Sequence, residues 1–298
     1  MRFINPKTDF AFKKIFGSDQ SKPILISFLN SLLYQEQPVI VDLEILDPYL
    51  APKIQGMKDT FVDVRARLQG ERTVIIEMQV LNVEGFEKRV LYNAAKAYSA
   101  QLLVGESYRE LHAVVALTIT DFVMFPECAQ LQSAYVLKEK RRLTDYPEGD
   151  LELVFVELPK FTKSLEELTT VKDKWLYFLR NASRLQIIPE TMEAALEIRA
   201  AFEMANAAKL TAEEIDIQER KLMFILDHRG AIIKAEKQGR EQGLRLAREQ
   251  RRQMEMEKGR AEVAKEIACR LLAQLSDQQI AESTGLSPAE VAALRTEQ

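Results

Sequence analysis

The chain has few of the residues that cross-link small proteins or bind structural metals. Its 298 residues include two cysteines and two histidines. Cys128 and Cys269 lie far apart in sequence, and neither is next to His112 or His228. The sequence therefore predicts neither a disulfide framework nor a structural zinc site, and a reducing cytoplasm is the expected location.

Long apolar runs and a strong charge of one sign are also missing. No stretch approaches the roughly 18 apolar residues of a membrane span. The N-terminus lacks an apolar segment of signal-peptide length, so no secretory leader is expected. The net charge of -4 excludes a general polycation for nucleic acid. Any contact with DNA must therefore come from a local basic patch.

The sequence does have enough apolar residues for a substantial core, since 47% of the chain is hydrophobic. Apolar periodicity predicts helices and strands in alternating groups over the first half of the chain. The predicted helices are 8–16, 21–35 and 86–104, and the predicted strands are 39–46, 60–68, 73–80, 112–120, 134–138 and 151–158. This order predicts an α/β fold with a mixed sheet flanked by helices.

The pattern becomes helical after Pro159. Amphipathic spacing predicts helices at 164–181, 190–207 and 211–228. Residues 234–262 have few apolar positions, so they are interpreted as a solvated helix, a weak coiled coil or a partly disordered segment. Helical character resumes at 263–275. The expected domains are a core (1–160), a helical extension (161–230), a long charged helix or linker (231–275) and a small hairpin (276–298).

The hairpin at 276–298 resembles a helix-turn-helix. Gly285 is placed at the turn, Ser287 and Glu290 form a capping box, and Pro288 occupies the first helical position. The same pattern is typical of any tight helical hairpin. Two interpretations therefore stay open, a DNA-reading element and a helical cap or dimer contact.

Two acids on neighbouring predicted strands are the strongest functional signal. If residues 69–71 form a three-residue loop around Gly70, Asp63 lies opposite Glu77, with Cβ atoms roughly 5 Å apart. The apolar positions, including Val62 and Val64, are then expected on the opposite face. Two opposed carboxylates are destabilising unless a cation neutralises them. Carboxylate oxygens suit Mg²⁺ or Mn²⁺.

The residues around this pair resemble a known family. Glu77 and Gln79 project from one face of a strand, and an acid followed by an acid-x-polar pair has the form of the PD-(D/E)XK motif. The motifs that carry the resemblance are Asp9-Phe-Ala-Phe-Lys-Lys-Ile-Phe16, Asp63-Val64, Ile76-Glu-Met-Gln79 and Arg89-x-x-Tyr92. Together they resemble the recombination-promoting nuclease and putative transposase family of the PD-(D/E)XK superfamily.

This resemblance implies a restriction-endonuclease-like fold and Mg²⁺-dependent cleavage of DNA in a bacterial cytoplasm. It implies that Asp63, Glu77 and the backbone carbonyl of Met78 bind the metal. Gln79 stands where many relatives have lysine, and glutamine is neither a cation nor a base.

The predicted helix 86–104, which follows the strand 73–80, offers cations in place of that lysine. Arg89 and Lys96 lie on one helical face together with Tyr92 or Asn93. Either cation is a candidate to contact the scissile phosphate. The alternative is that both are surface charges that pair with nearby acids.

Two further candidate sites come from charged residues elsewhere. Asp9 is either a third acid of the site or a helix-start residue that pairs with Lys13. Four basic residues form a candidate phosphate-contact loop or an ordinary solvated charge run, namely Lys138, Lys140, Arg141 and Arg142.

The sequence therefore favours a metal-dependent DNA endonuclease linked to recombination or transposition. Two alternatives remain, a catalytically weak DNA-binding accessory protein and a dimeric assembly module. A homodimer through the C-terminal helices is expected, because an apolar stripe from Val263 to Leu275 needs a partner.

Overall fold

The first of two compact units, residues 1–229, is built on a six-stranded mixed sheet. The computed structural model describes residues 2–50 and 58–296. The strands are β1 (Leu43–Leu46), β2 (Tyr49–Leu50), β3 (Thr60–Phe61), β4 (Val64–Leu68), β5 (Thr73–Gln79), β6 (Val114–Thr120), β7 (Gln132–Val136) and β8 (Leu151–Glu157). Their order in the sheet is β1-β4-β5-β6-β8-β7, and β2 pairs with β3 separately.

Strand direction divides the sheet into three parts. β1, β4 and β5 are antiparallel, β5, β6 and β8 are parallel, and β7 returns antiparallel as the edge strand. Every residue of β6 is buried. That burial is typical of a central parallel strand with helices on both faces.

The helices cover both faces of the sheet. They are α1 (Asp9–Phe16), α2 (Lys22–Leu33), α3 (Phe86–Ser99), α4 (Val171–Asn181), α5 (Glu190–Glu193), α6 (Leu196–Met204) and α7 (Ala212–Leu271). The larger apolar cluster joins one sheet face to α1, α2, α4 and α6, and the smaller one joins the other face to α3. The predicted fold class, a mixed sheet flanked by helices and followed by a helical region, is confirmed.

The first helix begins and ends as the sequence predicts. The Thr8 hydroxyl oxygen accepts a hydrogen bond from the Ala11 amide, which caps α1. The Gly17 amide donates to the Lys13 carbonyl at 2.8 Å. A Cβ at Gly17 would lie 2.8 Å from that carbonyl oxygen, so only glycine fits this close turn. This short helix directs Asp9 and Lys13 towards the edge of the sheet described below.

The predicted strand 60–68 is interrupted, which corrects one expectation. The Val62 amide donates to the Pro48 carbonyl and the Asp63 amide donates to the Ile76 carbonyl, so the backbone leaves the regular ladder at these two residues. Val62 therefore packs in the smaller cluster with Ile75, whereas Val64 packs in the larger one. The expectation that Val62 and Val64 share a face was wrong.

The helical segments predicted from residue 211 onward are one continuous helix. α7 runs through 60 residues and includes Gly230, Gly239, Gly243 and Gly259. Pairs at i and i+4 stabilise its exposed surface, as in Arg251–Glu255 and Arg270–Glu266. Of the three interpretations of residues 234–262, the structure has the solvated helix, but the separation of this segment from the helices predicted at 211–228 and 263–275 was wrong.

The second unit, residues 230–298, contains the end of α7 with α8 (Asp277–Thr284) and α9 (Pro288–Thr296). Gly285, at φ +76°, ends α8 in the left-handed conformation. The Arg295 guanidinium donates to the carbonyls of Leu272 and Leu275 and pairs with Asp277. The basic residue of α9 is thus bound within its own unit. Among the described helices, none has an apolar stretch as long as a bilayer crossing requires.

Candidate active site

The two predicted acids meet where β4 begins and β5 ends. The Leu68 amide donates to the Arg72 carbonyl at 2.8 Å, which closes the predicted three-residue loop, and Gly70 lies at φ +88°. The resulting register pairs Val64 with Ile76. That register is the predicted one. The regular pairing ends at Val64, so Asp63 lies one position beyond the ladder, and the charge of Glu77 is near enough to raise its pKa.

Asp63 is a buried carboxylate held by the backbone of β5. Its side chain is 12% exposed, and its Oδ2 accepts a hydrogen bond from the Met78 amide at 2.7 Å. The Lys13 Nζ lies 3.9 Å from Oδ1. Burial raises the pKa of Asp63 to about 7, and the charges of Asp9 and Glu77 add to the rise. The Met78 amide and Lys13 lower the pKa of Asp63 but only partly offset this rise.

Glu77 is held by a guanidinium that Gln79 shares. The Arg89 Nη2 donates to Glu77 Oε1 at 2.5 Å and to Gln79 Oε1 at 2.7 Å. The Gln79 Nε2 donates to the Leu81 carbonyl at 2.7 Å. Burial nevertheless raises the pKa of Glu77, although Arg89 and the Asn93 side chain lower it. Gln79 therefore positions Arg89 against Glu77.

Asn93 also lies at this site. From the sequence it was named only as an alternative to Tyr92 on the same helical face, and it was given no role. Its side chain lies close enough to Glu77 to lower the pKa of that carboxyl, and the residue is 1% exposed. Its Oδ1 has no hydrogen-bond partner among the described residues. The available signal was its position four residues after Arg89, on the same face of α3.

The structure gives Lys96 a different partner from the acids. Its Nζ donates to the Lys58 carbonyl at 2.7 Å, and the side chain is buried. Of the two cations predicted on this helix face, Arg89 is the one in contact with Glu77.

Asp9 lies beside the pair, but not with the predicted partner. Its Oδ2 lies 3.2 Å from the Nζ of Lys221 on α7, whereas Lys13 faces Asp63. The alternative that Asp9 pairs with Lys13 is therefore wrong, because Lys13 lies against Asp63 and Lys221 of α7 is the partner of Asp9. Asp9 is close enough to raise the pKa of both Asp63 and Glu77.

A second charged cluster adjoins the site and was missed in the sequence. The Asp121 amide donates to the Gln79 carbonyl at 2.9 Å, and the Asp121 carboxylate accepts from Lys7 at 2.9 Å and from Arg229. These residues are more than 100 positions apart, so no local pattern links them. The one signal was that Asp121 directly follows the buried strand β6, at the carboxyl end where α/β sheets bind ligands.

The donor chemistry fits a divalent cation that needs few protein ligands. No group of three acidic, histidine or cysteine side chains in residues 2–50 and 58–296 is arranged to hold a metal alone. Mg²⁺ is commonly bound through one or two carboxylates, with water and substrate phosphate completing its shell. Asp63 and Glu77 supply such a pair, and burial raises the pKa of both carboxyls, so a bound cation would favour their charged forms.

The predicted phosphate-contact loop follows the edge strand β7. Lys138 is committed to an ion pair, with its Nζ 2.8 Å from Asp145 Oδ1. Lys140, Arg141 and Arg142 are exposed. Three of the four predicted cations are thus exposed and form no ion pair among the described residues.

Comparison with known proteins agrees with this geometry. A mixed sheet flanked by helices, with one acid before a strand and an acid-x-polar pair on the next, defines a PD-(D/E)XK nuclease-like protein. The family described as PD-(D/E)XK nuclease family transposase matches residues 6–235, and the chain belongs to this family. Its members are nuclease-type hydrolases whose substrate class is DNA, and PD-(D/E)XK nucleases generally use divalent metals. No curated protein and no solved structure matches the chain.

The raised pKa of Asp63 predicts a pH-dependent loss of stability without metal. The folded pKa of about 7 exceeds the ordinary value of 3.8, so the folded state holds a proton that the unfolded state has released. The free energy of unfolding should therefore fall as pH rises from about 4 to 7. Asp63→Asn, which keeps an acceptor for the Met78 amide, should unfold at a higher temperature than the wild type at pH 8 in chelator. Equal thermal midpoints at pH 8 would contradict this burial effect.

Proposed function

We propose that this protein is a metal-dependent DNA endonuclease that hydrolyses phosphodiester bonds in recombination or transposition, in the cytoplasm. The observation that carries the proposal is the buried Asp63–Glu77 pair, whose pKa values are raised at the end of β5. Two neighbouring acids whose charged forms are disfavoured by burial are suited to a cation that arrives with the substrate, because the cation would favour those charged forms.

Each residue of the site has a distinct proposed role. Asp63 and Glu77 bind Mg²⁺ or Mn²⁺, with the Met78 carbonyl as a further oxygen donor. The ion, when bound, polarises the phosphate and lowers the pKa of the attacking water. Arg89 donates to a phosphate oxygen through the N–H groups that Glu77 and Gln79 leave free, and Gln79 positions Arg89.

Asp9 has a supporting role in this proposal. Its carboxylate is paired with Lys221 and lies beside both metal-binding acids. We propose that it orients water at the site. Lys96 fixes the backbone carbonyl of Lys58 rather than touching the substrate.

A second candidate function is a DNA-binding accessory protein with little or no cleavage activity. The observation that favours it is Gln79, which is bonded to Arg89 and the Leu81 carbonyl and supplies neither charge nor base. Metal binding separates the two candidates. A nuclease should show a Mg²⁺- or Mn²⁺-dependent rise in thermal midpoint that Asp63→Asn abolishes, whereas an accessory protein without the metal site should show none.

We also propose that the chain forms a homodimer through its C-terminal helices. Part of the apolar stripe predicted there packs inside the second unit, because Leu272 joins a core with Ile280 and Val291. Val263 and Ile267 remain exposed on α7. A second copy would cover them, and paired active sites would suit a nuclease that cuts both strands.

Truncation after Arg229 should separate folding from self-association. The shortened chain keeps the first compact unit, including the contact of Arg229 with Asp121, so its thermal unfolding should stay cooperative. Light scattering should give a dimer mass for the full chain and a monomer mass for the truncated one. A monomeric full chain, or a truncated chain that still dimerises fully, would show that the second unit serves another purpose.

A further inference from the structure

The hairpin that follows the edge strand β7 is an ordered arm, which we define as residues 137–146. Lys138 pairs with Asp145 in an antiparallel bridge, and the Tyr146 amide donates to the Leu137 carbonyl at 3.0 Å. Nearer the tip, the Glu139 amide donates to the Thr144 carbonyl at 2.8 Å. The arm is thus fixed by its own backbone, and every residue of it is exposed.

Of the two acids in the arm, Asp145 pairs with Lys138, and Glu139 accepts hydrogen bonds from the backbone. The Glu139 Oε2 accepts hydrogen bonds from the amides of Arg141 and Arg142, at 2.8 and 2.5 Å. Among residues 2–50 and 58–296, no acidic side chain forms an ion pair with Lys140, Arg141 or Arg142. Three consecutive cations are therefore presented to solvent on a rigid turn.

An apolar side chain stands directly beside these cations. Leu143 is 66% exposed and has a φ of +56°, in the left-handed region that leucine rarely adopts. Nothing in the arm requires leucine there, since asparagine or glycine would adopt this backbone more easily. An exposed leucine in a strained backbone conformation, as Leu143 is, indicates a contact with an external partner.

We propose that the arm binds duplex DNA, with Lys140, Arg141 and Arg142 on the phosphates and Leu143 in the minor groove. Three unpaired cations on one turn complement a phosphate backbone. Aliphatic side chains are used as wedges between base steps in that groove, whereas binding of single strands relies on aromatic stacking. The inference rests on the proposed function and names its substrate class as double-stranded DNA.

Fluorescence anisotropy with a short labelled duplex, in chelator and at several salt concentrations, tests the cations. Replacing all three by alanine in the full chain should lower the slope of log K against log salt by about 2.7, at about 0.9 per lost phosphate contact. The control Arg109→Ala/Arg184→Ala/Arg199→Ala removes the same charge from exposed sites and should leave the slope unchanged. An unchanged slope in the arm variant would overturn the proposal, as would failure of the wild type to bind duplex.

Leu143→Asn tests the apolar tip, because asparagine tolerates the left-handed turn. It should weaken duplex binding by about tenfold, the loss expected for one partly buried leucine, with no change in salt slope. Its thermal midpoint should be equal to or above that of the wild type. The control Leu196→Ala removes a leucine of similar exposure (69%) and should bind as the wild type does. Wild-type affinity in Leu143→Asn, or equal affinity for the labelled single strand, would overturn the groove contact.

These outcomes are independent of catalysis. If the wild type fails to cleave but the arm variants lose duplex binding, the inference that the arm binds DNA is upheld and the nuclease proposal fails. If the wild type cleaves with metal while the arm variants bind as it does, the nuclease proposal stands and the arm inference fails.

Discussion

Asp63→Asn and Glu77→Gln are each expected to lower the rate of DNA cleavage by on the order of 100-fold or more. Each change removes one negative charge from the pair that we propose to bind the metal, and metal stabilisation of the transition state is worth several kcal/mol. At about 1.4 kcal/mol per factor of ten, losing only part of it has this effect. The loss should appear at matched metal concentrations in a plasmid assay.

These two variants should keep the fold, which makes the loss interpretable. Burial already disfavours the charged forms of Asp63 and Glu77, so a neutral amide relieves a cost. Glu87→Gln is the matched control, because Glu87 is an exposed acid in the first turn of α3. It should cleave at the wild-type rate. Cleavage by Asp63→Asn or Glu77→Gln at the rate of this control would refute the site assignment.

Arg89→Ala is expected to have the next largest effect, again on the order of 100-fold, which is the cost of removing one preorganised donor. Arg89 is the cation that bonds both Glu77 and Gln79, and its remaining N–H groups are proposed to contact the phosphate. The rate constant at saturating DNA should fall more than the apparent affinity. Arg89→Lys should recover only part of the rate, since an ammonium cannot reproduce the planar fork of a guanidinium.

Lys88→Ala is the control for the loss of a cation from α3. Lys88 precedes Arg89, is exposed and points away from the acid pair by helical geometry. It should retain the wild-type rate constant. If Arg89→Ala and Lys88→Ala behave alike, Arg89 is a surface charge and not part of the catalytic site.

The acid pair was predictable because it depends on local geometry. A three-residue loop and the two-residue period of a strand determine which residues oppose each other, and both are visible around Gly70. The same reasoning failed at Val62, since its own amide donates to the Pro48 carbonyl and the regular strand period is broken there. The register was therefore right, while one face assignment beside it was wrong.

Contacts that depend on the tertiary fold could not be predicted. Lys221 pairs with Asp9 and Arg229 with Asp121 because the part of α7 that belongs to the first unit, residues 212–229, lies beside α1 and the end of β6. The sequence separations exceed 100 residues in both cases, and no periodicity encodes them. The continuity of α7 was also missed, because the scarcity of apolar residues after 233 hides a helix that ion pairs stabilise.

The most direct test of the central claim is to incubate supercoiled plasmid with the full chain while Mg²⁺ or Mn²⁺ is titrated against chelator. The central claim is that Asp63 and Glu77 form a divalent-metal centre for phosphodiester hydrolysis. We predict nicked and linear products whose rate of formation rises with metal and vanishes in chelator, and no products with Asp63→Asn under the same conditions. Intact plasmid at saturating metal, or cleavage of equal rate in chelator or by Asp63→Asn, would contradict the account.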